Sequence, residues 1–140
     1  MKKSIITDLN FLRQKSLDVT KDEAKEIIQD LEDSLDLNKG LGLSAIQIGI
    51  AKNISIIRYG DVKIDLINAY IDGKDNKFRM KCEGCLSLPG LYIDTTRYDE
   101  ILIYNNGKRE EYSGIIAIAV QHEVDHCNGL TILDRKWRAR

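Results

Sequence analysis

The segment Gln121-His122-Glu123-Val124-Asp125-His126 constrains this chain more than any other. It follows Ile115-Ile116-Ala117-Ile118-Ala119-Val120, so an apolar run leads directly into two histidines and two carboxylates. Residues four apart on an α-helix are separated by about 400° of rotation and share a face one turn apart. His122 and His126 can therefore converge on one ion. Glu123 lies about 100° further round, where it stands aside from the ion but reaches a water bound to it. The apolar lead-in predicts a buried helix from about Gly114 to Asn128, with Gly129 as its C-terminal glycine. Buried imidazoles and carboxylates need polar partners, and a metal supplies one. The chain has 2 histidines in all, and both lie in this motif. The plain alternative is an exposed helix that happens to carry them.

A catalytic metal usually takes three protein ligands and keeps one position open. The extended form H-E-x-x-H-x-x-G-x-x-H would place Gly129 correctly, but position 132 is isoleucine. No glutamate follows His126, and Asp134 is the only downstream carboxylate. The third ligand is therefore expected upstream. Cys127 sits about 100° from His126 on the helix and reads as a small packed residue. Cys82-Glu83-Gly84-Cys85 remains, with either thiol available. Its C-x-x-C spacing also admits a redox pair, although Pro89-Gly90 points to an extended loop rather than the helix such a pair opens. A closed Cys82/Cys85/His122/His126 structural zinc site is a further alternative, as is a metallopeptidase of the H-E-x-x-H type that cleaves internal bonds. Three cysteines are an odd count and few for a disulfide scaffold, which favours reduced thiols or metal ligation.

Elsewhere the pattern is plainer. Thr20-Lys21-Asp22-Glu23 reads as a capping box, and Ala24, Ile27, Ile28, Leu31 and Leu35 recur at helical spacing, predicting an amphipathic helix from about Lys21 to Leu37. Asn53 to Tyr59, Val62 to Ile71, Lys77 to Cys82, Leu91 to Thr96 and Glu100 to Tyr104 read as strands. Turns are expected at Tyr59-Gly60-Asp61 and Asp72-Gly73-Lys74, and Asn106-Gly107 signals a tight hairpin. The sum is an α+β fold: mostly antiparallel strands packed around a central H-E-x-x-H helix, with an N-terminal amphipathic helix, in one domain over residues 1–140. A formal net charge of −1 gives no electrostatic case for nucleic acid or membrane partners. No apolar run approaches the roughly 20 residues of a transmembrane helix, so a cytoplasmic protein is expected. The tail Arg135-Lys136-Trp137-Arg138-Ala139-Arg140 is basic, and reads as a solvated charged end.

Three segments together resemble the peptide deformylase family. Gly40-Leu41-Gly42-Leu43-Ser44-Ala45-Ile46-Gln47 is similar to that family's G-x-G-φ-A-A-x-Q. Glu83-Gly84-Cys85-Leu86-Ser87 matches E-G-C-φ-S, and Gln121 to His126 matches Q-H-E-x-D-H. The resemblance covers nearly the whole chain. It implies hydrolysis of the N-formyl group from the formyl-methionine of new polypeptides. It assigns one divalent ion to Cys85, His122 and His126, with Fe(II) as the native metal and zinc, nickel or cobalt able to replace it. It gives Glu123 the role of moving the water's proton to the leaving amine. It assigns the Gln47 amide and the Leu86 backbone N–H to the oxyanion. Gly42 would lie against the peptide substrate, and Leu41 and Ile118 would wall the methionine pocket. The chain departs from the pattern at Ser44, where alanine is expected, at Ile46, where proline or threonine is common, and at Cys127, where leucine usually follows the second histidine. Many bacterial members continue into a long C-terminal helix, whereas this chain stops soon after Asp134-Arg135, so docking to the ribosome through such a helix is not implied.

Overall fold

The computed structural model describes residues 1–138. Its helices are α1 (Leu9–Leu12), α2 (Lys21–Ser34) and α3 (Gly114–Cys127), with short 3-10 turns at Ala45–Ile48 and Ile132–Arg135. Its strands are β1 (Gly42–Ser44), β2 (Ile54–Tyr59), β3 (Val62–Ile67), β4 (Tyr70–Cys85), β5 (Leu88–Asn105) and β6 (Lys108–Ser113). They form two antiparallel three-stranded sheets, ordered β1-β2-β3 and β4-β5-β6. The α+β architecture is as expected, and the motif helix α3 packs against both sheets.

The capping box at Thr20 forms, with its hydroxyl taking the Glu23 N–H and the Glu23 carboxylate taking the Thr20 N–H. Helix α2 stops at Ser34 rather than Leu37. Asp36 is the reason: its side chain and carbonyl take the N–H groups of Asn38 and Lys39, replacing helical bonds with a turn. Ala24, Ile27 and Leu31 of α2 pack with Leu43, Ile54 and Ile56 of the first sheet in one core cluster. The second cluster joins Ala117, Val120 and Val124 of α3 to Ile101 and Ile103 of β5. Helix α1 escapes the sequence reading because four residues carry no periodicity.

Strands β4 and β5 are longer than expected, and β3 ends earlier, at Ile67. Asp72-Gly73-Lys74 is no turn but a register shift inside β4, and the two predicted segments after Pro89-Gly90 fuse into the single strand β5. The chain breaks instead at Asn68, which adopts φ 52° and holds both backbone groups of Val19 with its side chain. Asn106-Gly107 takes φ 52° and 78°, the left-handed pair of a tight two-residue hairpin. Among the described residues no helix is long and apolar enough to cross a membrane.

As far as Trp137 the backbone of the basic tail is docked, while the Lys136 and Arg138 side chains stay exposed as expected. Arg135 grips Asp125 on α3, Lys136 bridges Thr95, and the Trp137 N–H donates to the Asp94 carbonyl at 2.9 Å. Ala139 and Arg140 of that tail lie outside the described residues. Gly129, at φ 78°, follows the end of α3 with the Arg13 carbonyl standing where a Cβ would have to go. Gly129→Ala is expected to cost about 2–3 kcal/mol in chemical denaturation, from left-handed strain plus overpacking. A loss below about 0.5 kcal/mol would mean that the Arg13 segment yields freely.

Candidate metal centre

One turn of α3 separates His122 from His126, and their Nε2 atoms stand 3.3 Å apart. The Cys85 thiol enters from the last residue of β4 and reaches His126 Nε2, also at 3.3 Å. One donor atom from each of the three lies within 4.8 Å of the others. A tetrahedral ion with bonds of about 2.0 Å to nitrogen and about 2.3 Å to sulfur spaces its ligands by roughly 3.4–3.6 Å, close to this arrangement. The surroundings of the two imidazoles differ. Burial opposes charge on His122, but Glu123, Cys85 and Glu83 around it prevail and raise its pKa well above the ordinary histidine value. At His126 burial, with the charges of His122 and Arg97, pushes the pKa well below that value and leaves a neutral imidazole free to act as a ligand. The donor set and its spacing therefore fit a divalent metal.

A β-bulge separates the two thiols of Cys82-Glu83-Gly84-Cys85. Register slips between Met80 and Glu83, and Cys82 takes φ 55°, with its N–H on the Asp94 carboxylate at 3.1 Å. An extra residue in a strand re-aims the side chains that follow it. Cys82 is left exposed, while Glu83 turns inward and Cys85 meets the histidines. Cys127 is buried on another face of α3, its thiol 3.3 Å from the Ser55 hydroxyl, and burial pushes its pKa up to about 11. Asp134 does not join the cluster; it caps the last 3-10 turn by accepting the Thr131 N–H.

Glu123 is buried at 4% exposure. Burial raises its pKa, against the charge of His122 and a hydrogen bond from Ser44. Its Oε1 accepts the Ser44 hydroxyl at 2.9 Å, and its Oε2 faces Gly42, where an added Cβ would come within 2.9 Å of it. Gln47 is oriented by the Ser44 N–H, which donates to its Oε1. That leaves its amide nitrogen 3.1 Å from the Ser87 hydroxyl and 3.8 Å from the Cys85 sulfur. Leu86 occupies the two-residue turn between β4 and β5, so its backbone N–H lies outside the ladder beside Cys85. Leu41 immediately precedes β1, and Ile118 lies one turn before His122; both are half-buried.

Glu83, inside the segment that matches E-G-C-φ-S, is a further site residue whose partner its spacing does not reveal. Its Oε2 lies 2.6 Å from His122 Nδ1. Thr95 and Arg97 fill its remaining acceptor positions. Burial would raise the Glu83 carboxyl, but hydrogen bonds from Arg97 and His122 outweigh it and hold it well below the usual carboxylate range. Arg97, at 2% exposure, also donates to Asp125, which in turn takes Arg135. The carboxylate thus orients the His122 ring so that Nε2 points at the cluster. Gln121 fastens the same helix to β5 by holding both backbone groups of Tyr98. One clue to this network was available: Thr95 and Arg97 alternate onto one face of a strand, and Asp125 on a buried helix requires a cation.

Comparison with known proteins places the chain in one family. Residues 2–139 match the family model described as polypeptide deformylase. A peptide deformylase of Aquifex aeolicus is 35% identical over 89% of this chain and 80% of its own length. That of Natranaerobius thermophilus is 34% identical over 96% and 92%. Among solved structures, peptide deformylase from Thermotoga maritima superposes with a TM-score of 0.87 at 28% identity, covering 99% of both chains. The enzyme from Synechococcus elongatus, solved in complex with actinonin, gives 0.86 at 31% identity over 99% of this chain and 79% of that one. With a Cys/His/His cluster built from β4 and α3 and residues 2–139 matched by the family model, this chain belongs to the polypeptide deformylase family, metal-dependent hydrolases that remove the N-formyl group from nascent peptides.

Proposed function

We propose that residues 1–140 form a single catalytic domain, and that Cys85, His122 and His126 hold one divalent ion with Glu123 as the proton carrier of formyl hydrolysis. The observation that carries this reading is the convergence of one thiol and two imidazoles beside a buried carboxylate. Fe(II) is the proposed native metal, with zinc, nickel or cobalt able to take the same ligands. Bound there, the ion would supply Lewis-acid chemistry, acidifying water and polarising the formyl oxygen. Glu123 takes a proton from the attacking water and returns it to the departing amine nitrogen, so that formate and a free amino terminus result. The Gln47 amide and the Leu86 N–H donate to the oxygen on which negative charge develops. Gly42 lets β1 lie against the Glu123 carboxylate and the Ile56 carbonyl, where no Cβ fits, and the peptide backbone would run beside β1; Leu41 and Ile118 contribute apolar walls for the methionine side chain. The substrate is an N-formyl-methionyl peptide, met in the cytoplasm as new chains emerge.

The test is formate release from a formyl-Met peptide by protein purified anaerobically with Fe(II), or loaded with nickel. Cys85→Ala is expected to lose both metal and activity, whereas Cys82→Ala keeps both, as elemental analysis and the same assay will report. Metal retained by Cys85→Ala and lost by Cys82→Ala would overturn the ligand assignment.

A further inference from the structure

Ser44, one of the departures from the family pattern, contacts the proposed base directly. Its hydroxyl lies 2.9 Å from Glu123 Oε1 and 2.8 Å from the Ser55 hydroxyl, which lies 3.3 Å from the Cys127 sulfur. Ser44 and Ser55 are fully buried, and face each other across β1 and β2. Each of these groups carries one proton, and an ionised carboxylate only accepts. With Glu123 ionised, Cys127 donates to Ser55, Ser55 to Ser44, and Ser44 to Glu123 Oε1. The Glu123 carbonyl oxygen, 3.1 Å from the Ser44 hydroxyl, shares that one proton as the longer and weaker acceptor.

We infer that Ser44, backed by Ser55 and Cys127, is a positioning residue that tethers Glu123 Oε1 and so keeps Oε2 turned toward Gly42 and the substrate strand. The inference rests on the assignment of Glu123 as the proton carrier. A terminal carboxylate torsion is broad and roughly two-fold, so an untethered Glu123 would sample other orientations. The tether removes that freedom at the group whose alignment the proton transfer demands. Ser44 has a second hold on the site through its backbone, since its N–H orients Gln47. Side chain and main chain of one residue thus set the base and the proposed oxyanion donor relative to each other.

The test uses the nickel-loaded full chain and the variants Ser44→Ala, Ser44→Thr and Ser55→Ala. Ser44→Ala carries the residue common in the family and is expected to fold and bind metal fully. Its kcat should fall about 10- to 30-fold, the scale of one hydrogen bond to a charged group, with KM within about twofold. Ser44→Thr, which keeps the hydroxyl, should recover most of the rate, and Ser55→Ala should lose about two- to threefold. A crystal structure of Ser44→Ala should show the Glu123 carboxylate rotated or in two orientations. An unchanged kcat in Ser44→Ala, or an unmoved carboxylate, would overturn the tether. So would a Ser44→Thr variant that is folded and metal-loaded yet no faster than Ser44→Ala. Wild-type protein that releases no formate would count against the deformylase assignment instead, and the crystallographic comparison still judges the tether.

Discussion

Glu123→Ala is expected to lower formate release by about 10²- to 10⁴-fold while the metal stays bound, the range that a positioned acid/base contributes. The two effects separate because the carboxylate is not one of the three converging donors; it adjoins them on α3 and is held by Ser44 from β1. Removing it leaves the ligand set, the Gln47 amide and the Leu86 turn in place, so peptide binding should persist and the loss should fall on kcat. Steady-state kinetics beside elemental analysis checks both halves. A variant that works at more than about a tenth of the wild-type rate would remove Glu123 from the chemistry. A variant stripped of metal would instead make Glu123 part of the ion's support.

Arg97→Ala should destabilise the fold by about 3–5 kcal/mol, the usual result of deleting one partner of a buried ion pair. Arg97 is almost fully buried between Glu83 and Asp125. Its loss strands the Glu83 carboxylate beside His122 with only Thr95 to help. Asp125 fares better because Arg135 stays on it. The effect should depend on pH. The folded Glu83 carboxyl titrates far below its ordinary value of about 4.5. Its stabilising contribution is therefore complete above that value and is lost as pH falls through the folded one. Arg97 is the larger contributor to that depression, so the gap between wild type and variant should narrow in acid. Urea denaturation of the metal-free proteins at neutral pH and near pH 3.5 measures it. A gap equal at both pH values, or below about 1 kcal/mol throughout, would show that Arg97 is not what holds Glu83 ionised.

Much of the fold and part of the site were legible along the chain, wherever the information was local. The Thr20 box, the Asn106-Gly107 hairpin and the one-turn spacing of His122 and His126 each depend on neighbours within a turn, and each forms as written. Strand ends were less legible. Gly73 looks like a turn, yet the pairing of β4 with β5 absorbs it as a bulge, because ladder bonds to a long partner outweigh one flexible residue.

The residue pattern alone narrowed the third ligand to two thiols, and only the family resemblance chose Cys85. In the folded chain that distinction is physical: the bulge at Cys82 sends one sulfur to solvent and the other to the histidines. The same holds for Glu83 on His122, 39 positions apart, and for Ser44 on Glu123, 79 positions apart. Periodicity reports which face of an element a side chain occupies, but says nothing about what lies opposite that face. Thus the amino-acid order settled the helix, its paired imidazoles and the carboxylate beside them. What grips those groups, and in which orientation, came from distant strands brought alongside by packing, where buried charge has to find its partner.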